Sequence, residues 1–129
     1  VGALMLVSML LAARNMPDFP REFSRMSLMA AGGRNWGNIS ANGDRWSGYA
    51  VWPKYGFDTQ LIQITKDILP HFPYYPENLS SCSAVSEVLG LKLGGQEYWH
   101  MVGDGWYMHF DMSFGSRSET VLSSYLGDL

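Results

Sequence analysis

Two histidines and an aspartate lie close together in the sequence and are the residues best suited to acid–base chemistry. His109 and Asp111 are separated by one residue, and His100 lies upstream of both. Side chains two positions apart in a β-strand point to the same face, so the carboxylate at 111 could tune the imidazole at 109. The candidate catalytic residues are therefore His109, Asp111 and His100.

The same His/His/Asp set has the donor types that zinc accepts. However, the two histidines lack H-x-x-x-H spacing, and the third, His71, lies in a proline-rich segment. The single cysteine, Cys82, allows neither an intrachain disulfide nor a thiolate cluster. The glycines near Gly94 and Gly103 do not have the spacing of a phosphate-binding loop. We predict neither a metal nor a cofactor.

A nucleophile for acyl transfer would have to come from Ser116, Ser118 or Cys82. Ser116 has another explanation, because the run from Ser116 to Glu119 matches the S-x-x-E capping box at a helix start. The chain contains no G-x-S-x-G motif. We expect Cys82 to be a buried structural cysteine.

Aromatic residues are the second candidate feature, because they are more numerous than a small core requires. Tryptophan and tyrosine line pockets for small molecules and surround cationic ligands. The chain also has 8 methionines, which add adaptable surface. We therefore expect a small, partly apolar or cationic ligand. The candidate ligand-binding residues are Trp46, Tyr49, Trp52, Tyr107 and His109.

A β-strand over about 105–112 would position His109 and Asp111. Its residues alternate cleanly between apolar and polar, which is the period of a strand with one buried face. The predicted core face consists of Trp106, Met108, Phe110 and Met112. The opposite face, with Tyr107, His109 and Asp111, would meet solvent, a pocket or a partner.

A hairpin over about 35–52 would supply the other strands. Asn42-Gly43 separates two strand-like runs, and this pair favours a type I′ turn. Gly48, inside the second run, indicates a bulge or a close approach to another group.

Helical periodicity predicts helices over about 3–13, 21–33, 59–69, 80–89 and 95–102, with a last helix that begins at Ser116. In the second of these, Phe23, Met26 and Met29 share a face. Together the elements predict a single two-layer α+β domain over 1–129. Its small antiparallel sheet, from the hairpin at 35–52 and the strand at 105–112, would pack against several helices.

The first helix is apolar on every side and too short to cross a bilayer. A small domain cannot enclose such a terminal helix completely, so part of its surface is expected to be an oligomer interface. We predict a homo-oligomer, most simply a dimer.

The composition excludes several classes of function. Charged residues make up only 16% of the chain, the net charge is -3, and the arginines never form a run, so we expect no nucleic-acid partner. We expect no membrane partner, and a single cysteine suits the cytoplasm. The leading hypothesis is a self-associating module that binds a small molecule or a partner. The alternatives are a small hydrolase or transferase centred on His109 and Asp111, and an adaptor that docks through its first helix.

Overall fold

The computed structural model describes residues 2–15, 25–33 and 47–127. Over these residues the chain forms six α-helices and one two-stranded antiparallel sheet. The strands pair along their whole length, and the last helix packs against the second strand. The predicted α+β class, with a small antiparallel sheet against helices, is confirmed.

The helices are α1 (Gly2–Arg14), α2 (Gly48–Val51), α3 (Gln63–Ile68), α4 (Val85–Leu89), α5 (Gly95–Val102) and α6 (Arg117–Gly127). The strands are β1 (Arg25–Met29) and β2 (Tyr107–Asp111). Short 3-10 segments cover Trp52–Tyr55, Leu69–His71 and Leu79–Ser81.

β2 confirms the strand predicted over 105–112 and most of its two faces. Met108 and Phe110 are fully buried and Met112 nearly so, whereas Tyr107 and Asp111 are exposed. Trp106 is the exception, because it lies before the strand and half of its surface is exposed. The alternation predicted this strand because one of its faces covers the core.

The helix predicted over 21–33 is wrong, because residues 25–29 form β1 instead. Arg25 pairs with Asp111 and Met29 pairs with Tyr107. The misleading signal was the spacing of Met26 and Met29, which also suits a helix. Arg25 and Ser27 are exposed while Met26 and its apolar neighbours are half-buried, so the period of two fits the structure better.

The hairpin predicted over 35–52 is wrong at its end, where Gly48–Val51 is helical and the chain continues into a 3-10 turn. Residues 34–46, including the Asn42-Gly43 turn, lie outside the described residues. Gly48 does make the expected close approach, since an added Cβ would come within 3.0 Å of the Ala31 backbone nitrogen. The Tyr49 N–H also donates to the Ala31 carbonyl at 2.9 Å.

Two further helices are shorter than predicted. Residues 58–60 are extended rather than helical, because Asp58 forms a bridge with His109 and Gln60 with Ala84. The helix expected over 59–69 therefore begins at Gln63. The helix expected over 80–89 is reduced to a 3-10 turn and α4.

Arg14 fastens α1 to the turn that follows β2. Its guanidinium donates to the Met112 carbonyl at 3.1 and 2.7 Å and forms an ion pair with Glu119. It also lies 4.1 Å from the centre of the Phe114 ring. The predicted capping box is half formed: the Glu119 N–H donates to Ser116 Oγ at 3.1 Å, while the Glu119 carboxylate pairs with Arg14 instead.

The core lies between the inner face of β2 and the helices. Its largest fully buried side chains are Trp99, Tyr98, Phe110, Met108, Val85 and Val88. Leu6 and Leu10 bring one side of α1 into this core. Within the described ranges, no helix has the length and apolar character needed to cross a membrane.

Candidate functional site

His109 lies in the middle of a row of three side chains that crosses the sheet. On one side of β2, His109 and Asp58 exchange both backbone hydrogen bonds, at 2.9 and 2.8 Å. On the other side, His109 faces Ser27 of β1. Because the backbone groups of His109 point toward Asp58, Ser27 and His109 form a non-hydrogen-bonded pair, in which opposing side chains come closest.

The Ser27 hydroxyl is hydrogen-bonded to Nδ1 of His109 at 2.7 Å. This bond fixes the plane of the half-buried imidazole ring. The other ring nitrogen, Nε2, has no hydrogen-bond partner within residues 2–15, 25–33 and 47–127. Nε2 is therefore free to form a hydrogen bond with an outside molecule.

His109 lines an open cleft of about 900 Å³. The cleft lies between β2, the extended segment 57–60, the start of α4 and the first turn of α6. Such a volume is in the range of small-molecule sites. Among the residues that the structure describes, its charged and histidine lining residues are Arg25, Asp58, Glu87, His109, Asp111 and Arg117.

Asp58 and Glu87, on the walls of this cleft, are oriented by backbone N–H groups. Asp58 accepts from the Thr59 and Ser86 N–H groups, both at 2.9 Å. Glu87 accepts from the N–H and the hydroxyl of Ser83. These bonds hold the two acids in place, and the bond from the Ser86 N–H to Asp58 joins the start of α4 to the extended segment 57–60.

Asp111 forms neither a hydrogen bond nor an ion pair with the imidazole that it was predicted to tune. Its Oδ1 accepts the Ser113 N–H at 2.9 Å and so closes the turn after β2. Sequence reasoning missed Ser27 as the partner of His109. The available signal was the alternation of Arg25 to Leu28, which places Ser27 on the open face of a strand.

Two arginines bring positive charge to the cleft. Arg117 pairs with Asp58 at 3.3 Å and donates to the Ser86 carbonyl at 3.3 Å, and its side chain is more than half exposed. Arg25 is exposed opposite Asp111 and forms no ion pair with any described residue. The Arg25 guanidinium is therefore available to a ligand.

His100 lies in a different place and does not join this cleft. It borders a smaller hollow of about 310 Å³, together with Lys54, Glu97 and Met101. Its ring lies nearly parallel to that of Tyr49, with centroids 6.4 Å apart and planes 23° apart. The structure thus separates the two histidines that the sequence suggested as a pair.

Two of the four predicted aromatic residues, Trp52 and Tyr49, pack on other side chains of the protein. The Trp52 ring contacts Tyr55 and Phe57 edge-on, with centroids 5.7 and 5.5 Å apart. Tyr49 packs on His100, and Tyr107 is exposed against Trp106. Trp46 lies outside the described residues. Of the four predicted residues that the structure describes, His109 is the one that lines the large cleft.

The three nucleophiles suggested by the sequence have structural roles. Ser116 Oγ donates to the Asp111 carbonyl at 2.7 Å, and Ser118 Oγ accepts the Asp111 N–H at 3.0 Å. Cys82 is buried as expected, and this burial, with a smaller effect of Glu87, raises the pKa of its thiol. A protonated, inaccessible thiol is a poor nucleophile.

No group of three or more metal-ligating side chains is assembled among the residues that the structure describes. Comparison of the chain with protein-family models, curated proteins and solved structures found no match. The geometry and charges of the large cleft are therefore the main indication of function.

Proposed function

We propose that this protein binds a small polar molecule that carries both a positive and a negative charge, in the cleft around His109. The observation that carries the proposal is the placement of charged groups of both signs around one concave site. Arg25 and Arg117 can hold an anionic group, and the carboxylates of Asp58, Asp111 and Glu87 can hold a cationic one. Complementary charge favours such a ligand over a singly charged one.

The rigidity of these groups supports the proposal. A site that is already oriented spends less free energy on ordering its side chains when a ligand binds. Asp58 is held by two backbone N–H groups, and the His109 ring is held by Ser27. His109 lines the cleft, and its Nε2 atom can add a polar contact to a ligand. The aromatic residues contribute little here, so the partly apolar ligand expected from composition is less well supported.

Thermal shift with three matched dipeptides tests the proposal. L-alanyl-L-alanine carries both charges, its N-acetyl derivative only the negative one, and its C-terminal amide only the positive one. At ten times its Kd a ligand adds about 1.4 kcal/mol to the stability of the native state, which raises Tm by roughly 5 °C for a chain of this length. The unmodified dipeptide is expected to give the largest shift.

Arg25→Gln is the matching variant, because Arg25 has no ion pair to lose among the described residues. It should abolish most of the shift given by the unmodified dipeptide. Lys92→Gln, which changes a charge outside the cleft, should keep it. Equal shifts with all three compounds, or a shift that survives Arg25→Gln, would contradict the proposal.

We also infer that the chain self-associates through α1. Leu6 and Leu10 face the core, but Leu4, Met5 and Met9 are each more than half exposed on the same helix. Contiguous apolar surface of this kind is typical of interaction sites. The same surface would serve the adaptor role considered from the sequence, with a different protein in place of a second copy.

Light scattering at micromolar concentration tests self-association. The wild-type chain should have the mass of a dimer, and the double variant Met5→Glu, Met9→Glu the mass of a monomer. Ile64→Glu changes an equally exposed apolar residue on α3 and should remain dimeric. A monomeric wild-type chain would remove self-association and leave only the adaptor role for α1.

We also propose that the protein is cytoplasmic and has neither a nucleic-acid nor a membrane partner. This proposal is supported by a single, buried, unpaired cysteine and by the low charge of the chain.

A further inference from the structure

Ser27 and His109 have the geometry of a nucleophile and its base. Their side chains are within hydrogen-bond distance, at 2.7 Å, although the residues are 82 positions apart in the chain. A hydroxyl becomes a useful nucleophile when an adjacent imidazole can remove its proton. We propose that Ser27 is the nucleophile of an acyl-transfer reaction, with His109 as its general base. The proposal goes beyond ligand binding and rests on the proposed function through His109 and Arg25, which line the cleft. Ser27 does not line the cleft itself, and its hydrogen bond to His109 places it beside the cleft.

Backbone pairing between strands holds this pair in position. Ser27 and His109 are opposite residues of adjacent strands, and the second side of β2 is held by the bridge to Asp58. Neither backbone can slide without breaking that register. Functional groups on strands are positioned more accurately than groups on loops.

Accessibility also suits the two roles. Ser27 is exposed, so its Oγ can reach an outside acyl group, and His109 is half-buried. Arg25 lies two positions before Ser27 on the same face of β1 and lines the cleft. Its guanidinium can donate hydrogen bonds to the negative oxygen that develops during acyl transfer.

The reaction would use a small polar carboxylic ester. Ser27 Oγ forms a bond to the carbonyl carbon, its proton passes to Nδ1 of His109, and the carbonyl electron pair moves onto the oxygen. When that pair returns, the bond to the leaving alkoxy group breaks, and His109 gives its proton to the alkoxy oxygen, which departs as an alcohol. Water repeats both steps on the acyl-serine, which releases the acid and restores Ser27. This cycle needs the neutral imidazole with its proton on Nε2.

Labelling with a fluorophosphonate tests the nucleophile, because the reaction does not depend on knowing the substrate. Ser27 Oγ would form a bond to phosphorus, fluoride would leave, and the proton would pass to His109. Mass spectrometry of the wild-type chain should place the adduct on Ser27. His109→Gln should slow labelling at least about 100-fold, the lower end of the usual contribution of general-base catalysis.

His100→Gln and Ser123→Ala are the controls, since both residues are exposed and lie outside the cleft. Both variants should label at the wild-type rate. Circular dichroism and Tm of every variant show whether it is folded. Absence of labelling on Ser27 in the wild type, or unchanged labelling in a folded His109→Gln variant, would overturn the proposal.

Replacement of the serine by cysteine gives a second, independent readout. In Ser27→Cys, an adjacent imidazolium would stabilise the thiolate, so alkylation by iodoacetamide should persist well below the ordinary thiol pKa of about 8.5. Ser123→Cys should follow the ordinary pKa, and the sites are distinguished from Cys82 by peptide mapping. The same pH profile at both positions would mean that Ser27 only orients the imidazole. If the dipeptide still binds while these tests fail, the cleft is a binding site and not an acyl-transfer site.

Discussion

The two histidines near the end of the chain occupy very different surroundings. His109, on β2, has a side-chain hydrogen bond to Ser27 and lines a large cleft with charges of both signs. His100, on α5, is exposed beside the ring of Tyr49, and its carbonyl rather than its imidazole receives a hydrogen bond, from the Tyr49 hydroxyl. The comparison shows that proximity in sequence did not create the candidate site. Register across the sheet did, because it brought Ser27 and Asp58 to either side of one imidazole.

The largest expected effect on stability comes from Phe110, the core residue that follows His109 on β2. Phe110, which follows His109 and points inward, is fully buried and packs on Phe57 with ring centroids 5.6 Å apart. Phe110→Ala should lower the free energy of unfolding by about 3–5 kcal/mol, because it leaves a cavity in the core. Urea denaturation measures the change, and Phe110→Leu should cost less. Equal losses for the two variants would mean that the site collapses around the smaller side chain.

An intermediate effect on stability should distinguish an acidic residue of the large cleft from one beside the smaller hollow at His100. Asp58→Ala removes a carboxylate that accepts two backbone N–H groups and pairs with Arg117, so we expect a loss of about 2–3 kcal/mol. Glu97→Ala, its counterpart beside His100, is exposed and should stay within about 0.5 kcal/mol of wild type. Thermal or urea unfolding of both variants measures the contrast. Similar values would remove the distinction between an anchored cleft and an incidental hollow.

The smallest effects should be local to each ring. Tyr49→Phe removes the hydroxyl that donates to the His100 carbonyl and should cost about 1 kcal/mol. In NMR spectra it should shift the ring resonances of His100 and leave those of His109 in place. Ser27→Ala should do the reverse, with little change in stability because the hydroxyl is exposed. Movement of both sets of resonances by either variant would show that the two sites are coupled.

The elements that could be predicted from the sequence are those whose signal is local. Three stretches indicate their own secondary structure without help from distant residues: the apolar run of α1, the residues of α5 after Gly94, and the alternating residues of β2. Each of these elements buries one side in the folded protein. The wrong predictions share one cause. Residues 25–29 and 48–51 are short, their apolar spacing suits more than one period, and pairing with β2 or packing on Ala31 decides between them.

By itself, the sequence determined the α+β class, the inner and outer faces of β2, the buried Cys82 and the place of His109 on an open face. Tertiary structure alone decided which groups surround that histidine. Ser27 and Asp58 come from segments far from β2 in the chain, and Asp111, the obvious neighbour, uses its carboxylate to close a turn. The physical reason is that alternation within one strand decides to which face of the sheet each side chain points. Which residues of two strands lie opposite each other depends on their register, and the periodicity of one strand does not specify its partner.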